Sequence, residues 1–125
     1  MKSYTDLEQS KKLAEILPLE SADMFLALNG HIPVMSKYID DGLVTADNTA
    51  IPCWSLAALL SVLPKEIEID GQHYAPCLFP VKNKWLLKLW YNSNYTITSP
   101  ISIFADNPVD ACVEMILKLH KINLT

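Results

Sequence analysis

Apolar and polar positions repeat with two different periods along this chain, and the period changes near Lys65. Before it the clear signals are helical. Leu7, Leu13, Ala14, Ile16 and Leu17 fall on one half of a helical wheel, and Glu8, Lys11, Lys12 and Glu15 on the other. Thr5-Asp6-Leu7-Glu8 reads as a capping box with Thr5 as the cap. Glu8 and Lys12 stand in the favourable i,i+4 order, and Pro18 stops the helix. A second helix is predicted to open at Ile51-Pro52-Cys53, with Pro52 in its first turn, and to run to about Leu63. Its residues Trp54, Leu56, Ala57, Leu59, Leu60, Val62 and Leu63 leave almost no polar face, which predicts burial on several sides as the spine of the core.

From Lys65 on, the period is two. Ile67 and Ile69 alternate with Glu66, Glu68 and Asp70. Trp85, Leu87, Leu89 and Tyr91 share one face of a strand over Lys84–Tyr91, and Lys84, Leu86, Lys88 and Trp90 share the other. Tyr95, Ile97, Ile101 and Ile103 continue the alternation. Pro76, Pro80 and Pro100 mark edges, bulges or strand ends. The last helix starts at Asn107-Pro108, a good cap followed by a good first residue. Its face centres on Val109, Cys112, Val113, Ile116 and His120. Ala111, Met115 and Leu119 widen the apolar arc beyond what one sheet contact uses.

The three glycines each follow Asn or Asp, in Asn29-Gly30, Asp41-Gly42 and Asp70-Gly71. These are the preferred pairs of two-residue hairpin turns. Asp23–Leu28 and His31–Ile39 would flank the first, His31–Ile39 and Leu43–Ala46 the second, Lys65–Ile69 and Gln72–Ala75 the third. The predicted fold is α+β: one antiparallel sheet of about six or seven strands, hairpins plus a meander, with three helices packed mainly on one face. Residues 1–125 read as a single domain.

Composition narrows the function. Half of the 125 residues are hydrophobic and 19% are charged, below the ~25% typical of soluble domains, so disorder is excluded. All ten basic residues are lysine, against 14 acids, for a net charge of −4. A chain without arginine and with an acid excess is a poor reader of phosphate, so no nucleic-acid partner is expected. Met1–Thr5 holds no apolar run of signal-peptide length, and the longest apolar stretch, Ile51–Leu63, falls short of the ~20 residues of a membrane span. A soluble, cytoplasmic protein without a membrane partner is therefore expected. Three cysteines without short spacing are not a disulfide framework.

Three runs resemble known text. Tyr4–Met24, Pro52-Cys53-Trp54-Ser55-Leu56-Ala57-Ala58-Leu59-Leu60 and Ala105–His120 are similar to the hallmarks of a group of small proteins of Bacteroides-type gut bacteria, of prophage or mobile-element kind. The runs cover under half of the chain and consist of helix caps and helix faces. The resemblance implies a phage-related origin and carries over no functional residues.

Candidate chemistry is sparse. Cys53, in the first turn of a predicted helix, would gain thiolate character from the helix dipole. The competing reading is a small buried hydrophobe beside Trp54. His73 and Cys77 share a strand face, but one pair does not close a zinc site, so no metal and no cofactor are expected. His120 near a helix C-terminus suits a packed or capping imidazole. Glu66, Glu68 and Asp70 look like a solvated or guarded edge. No glycine-rich loop offers a nucleotide site, and no catalytic residues are assigned. Two apolar surfaces remain as candidate contacts: Leu86, Lys88 and Trp90 on the strand, and Ala111, Met115 and Leu119 on the last helix. The function these favour is a non-enzymatic protein-interaction module, acting as a homodimer or on a host or phage protein. The alternative is a small enzyme or ligand-binding protein with a helix–sheet pocket near Cys53 or His120.

Overall fold

The computed structural model describes residues 1–27, 32–35, 51–91 and 100–122. It is α+β, with antiparallel sheets and three α-helices among the described residues. The chain divides into two compact units, Lys2–Leu60 and Ser61–Thr125. The single sheet expected from sequence is two sheets, one of three strands and one of four. The hairpin signals were local, and nothing in the alternation says which hairpins share a sheet.

In the first unit, helix α1 spans Leu7–Ala14 and buries Leu13 and Ser10. Its cap is one residue later than expected. Asp6 accepts from the Gln9 amide at 2.8 Å, and the Gln9 side chain accepts from the Asp6 amide at 3.1 Å. Thr5 is diverted from capping because its hydroxyl accepts the Trp54 amide at 3.0 Å. A 3₁₀ turn over Leu19–Ser21 follows. Strand β1, Met24–Ala27, is central, paired with β2, Ile32–Met35, and with β3, Ile51–Cys53. Ile51-Pro52-Cys53 is thus a strand and not a helix opening. Pro52 is tolerated because β3 is an edge strand of this sheet. α1 packs against β3.

Helix α2 is shorter than expected, Leu56–Val62, and starts where Ser55 caps it by accepting the Ala58 amide at 3.2 Å. Ala57, Leu60 and Ser61 are exposed, so it is not the all-round buried spine that its apolar composition suggested. Pairing of Ala27 with Ile32 brackets Asn29-Gly30 as a hairpin would. The turn itself, Asp41-Gly42 with Leu43–Ala46, and the alternating Tyr95 and Ile97 lie outside the described residues.

The second unit is the meander. β4, Ile67–Ile69, turns through Asp70 and Gly71, both at positive φ (51° and 80°), into β5, Gln72–Val81. β6, Lys84–Tyr91, pairs with β5 along its length, and β7, Ser102–Ala105, pairs with β6. Helix α3, Pro108–Lys121, is capped by Asn107, whose side chain accepts from the Asp110 amide at 2.8 Å. α3 packs on β6 and β7. Leu87, Leu89, Ile103 and Ala105 are the buried residues of one sheet face, and Val109, Cys112 and Ile116 are buried on the helix.

Candidate functional site

The reactive side chains singled out in the sequence do not assemble into a catalytic group. Cys53 lies in strand β3, fully buried, ahead of the Ser55 cap of α2 and not in the first turn of a helix. Burial, and then the charge of Asp23, push its thiol up to about 12. A thiol so held stays protonated and is a poor nucleophile. Cys112 is buried in α3, and burial likewise pushes it up to about 12. His120 is exposed in the last turn of α3 and not centred on its buried face. His73 Nδ1 lies 2.7 Å from Glu66, with both side chains largely in solvent. His73 and Cys77 are two positions apart on one strand face, about 13 Å along β5, too far to share an ion. Among the described residues, no three His, Cys, Asp or Glu side chains gather to hold a metal.

A polar cluster that the sequence reading missed lies in the first unit, buried at Thr5 and Ser10 and half-buried at Ser21, Asp23 and Ser55. Thr5 and Ser10, both fully buried, share a hydrogen bond of 2.8 Å between their hydroxyls. Trp54 donates its indole N–H to Ser21 Oγ at 3.0 Å. Asp23 accepts from the Ser55 amide at 2.9 Å and also contacts the Ser55 hydroxyl. Every one of these groups is matched, and the arrangement works as a structural pin.

The helix surface Ala111, Met115 and Leu119 is not a surface. All three are 0% exposed, covered within the chain. The wide apolar arc of α3 is real, but the periodicity could not say that the chain itself fills it.

The outer face of the four-stranded sheet differs. Register places Phe79, Leu86 and Phe104 in one row across β5, β6 and β7. Cys77, Lys88 and Ser102 form the next row, and Ala75 and Trp90 the one after. Leu86 is nearly covered by its neighbours, whereas Phe104 is 60% and Trp90 39% exposed. The Lys88 ammonium sits 4.6 Å from the Trp90 ring centre and 5.4 Å from that of Phe79. This is cation–π geometry. It lays the lysine stem along the apolar face and leaves the rings with one shared charge. Phe79 and Phe104 were not singled out from sequence; Phe104 follows Ile103 and so takes the opposite face of β7.

Comparison with protein-family models, with curated proteins and with solved structures found no match. No helix among the described residues is long and apolar enough to cross a membrane.

Proposed function

We propose that this chain is a non-enzymatic protein-interaction module of prophage or mobile-element kind, working in the cytoplasm, and that the outer face of its four-stranded sheet is the contact surface. The observation that carries the reading is the exposure of Phe104 and Trp90 beside the ring-held Lys88. Exposed aromatic residues suit the centre of a protein contact, and the apolar stem of Lys88 lies along the sheet beside them. The sheet beneath them is braced on its other face by α3, so the surface is presented without an ordering cost. The first partner is a second copy of the chain, as a two-fold dimer.

Light scattering of the wild type across micromolar concentrations is expected to give a mass above 14.0 kDa. Phe104→Glu and Trp90→Glu should bring it toward that value while keeping the wild-type circular dichroism. A wild type that stays at 14.0 kDa throughout would rule out self-association.

A further inference from the structure

We infer that two copies meet sheet face to sheet face with their strands in opposite polarity, so that the acid-rich end of one face covers the lysine-rich end of the other. This rests on the reading of that face as the self-contact surface. The alternative, strand addition at a sheet edge, is disfavoured by the edges. β5 pairs with β6 from Tyr74 to Val81 but with β4 only up to Tyr74. The Leu89 amide donates to Ile101 at 3.1 Å, on the β7 side, so the even-numbered residues of β6 bond toward β5. Their partners are the odd-numbered residues of β5. Pro76 and Pro80 therefore turn their nitrogens away from β6, and between Ala75 and Val81 Leu78 has the one N–H on that edge. Prolines and short edge strands are the ordinary guards against edge pairing, and β4 and β7 are three and four residues long.

Charge then sets the polarity. At the β4 end, Glu66, Glu68 and Asp70 stand against Lys65 and against His73, whose Nδ1 meets Glu66, all exposed. At the β5–β6 turn, Lys82 and Lys84 stand against Asp106, which Lys84 contacts. The ten residues of β5 separate these ends by about 30 Å. That is about three Debye lengths at ~0.1 M salt, so the ends do not neutralise each other within one molecule. A two-fold axis through the middle of the face brings opposite ends together twice. Phe79, Leu86, Trp90 and Phe104 then occupy the centre.

Sedimentation equilibrium of the full chain tests this. Glu68→Lys and Lys82→Asp are each expected to weaken association about fivefold, since each contact occurs twice. The double variant should return toward wild-type affinity, and raising salt from about 0.05 to 1 M should weaken the wild type. A dimer broken by Phe104→Glu but indifferent to both charge reversals and to salt would overturn this arrangement and leave the contact face standing. Losses that add in the double variant would overturn it too. A monomeric wild type would overturn both readings.

Discussion

The two units of the chain are held by different means. The first is pinned by hydrogen bonds that join distant residues: Thr5 to Trp54, Trp54 to Ser21, and Asp23 to Ser55. The second is an apolar laminate, with α3 laid on β6 and β7 and almost no buried polar side chain among the described residues. The first unit also leaves apolar residues in solvent, Leu19 in its 3₁₀ turn and Leu60 on α2. The meander differs in how they are set: α3 covers one face of its sheet, and register lines Phe79, Leu86 and Phe104 up in a row on the other. The candidate contact surface is that row with Trp90 and Lys88 beside it.

The sharpest way to test that contrast is to disturb each unit's interior in the terms that hold it, with a charge in the apolar one and an apolar group in the hydrogen-bonded one. Met115→Glu is expected to lower the urea midpoint sharply, because a carboxyl without a partner in an apolar core either stays charged at a cost of several kcal/mol or must take up a proton, against the ~5–15 kcal/mol that holds a typical domain. It should act on stability and not by parting a dimer, since Met115 is fully buried. Thr5→Val probes the pinned unit. It removes the side-chain acceptor of the Trp54 amide, leaves the Ser10 hydroxyl only its longer 3.5 Å contact with the Thr5 carbonyl, and should cost about 1–3 kcal/mol by urea midpoint. Ser10→Ala added to it should cost less than it does alone, because one pair has been removed twice.

The two buried thiols, Cys53 in the first unit and Cys112 in the second, compare the interiors under alkali. Both are raised from 9.0 to about 12 in the fold. Between those values the unfolded chain releases its thiol protons and the native one keeps them. Stability from this source is therefore complete below pH 9 and is lost as the pH rises toward 12. Cys53→Ala and Cys112→Ala should each flatten the alkaline fall of the urea midpoint. The smallest effect belongs to the surface: Glu8→Gln removes an exposed 3.4 Å ion pair with Lys12 and should shift stability by no more than about 0.5 kcal/mol.

What was legible in the sequence was local. Asp70-Gly71 takes positive φ at both positions because only such residues do so cheaply, and the turn was read from two letters. The alternation of β6 and the Asn107-Pro108 start of α3 were likewise readable at short range. What was missed depends on partners far along the chain. Ile51-Pro52-Cys53 has the apolar content and proline of a helix start, and it is a strand because β1 lies beside it. Thr5 and Asp6 both qualify as caps, and a backbone amide 49 residues away decided between them. For the candidate site, the outward parity of Leu86, Lys88 and Trp90 was visible. The aromatic row completed by Phe79 and Phe104 needed cross-strand register, which alternation within one strand does not contain.

The bond from Trp54 to Thr5 also carries a consequence for time. Closing it brings together positions 49 residues apart, whereas β4 and β5 meet across the tight turn Asp70-Gly71. Long closures lose more chain entropy before any contact rewards them, and local pairings form first. The meander is therefore expected to acquire its protected amides early in refolding, and the Thr5 and Trp54 amides late. Pulsed hydrogen exchange would read that order directly. During that interval the aromatic row of the meander is already formed while the first unit is still open, so concentrated refolding should favour contacts between nascent chains through that row.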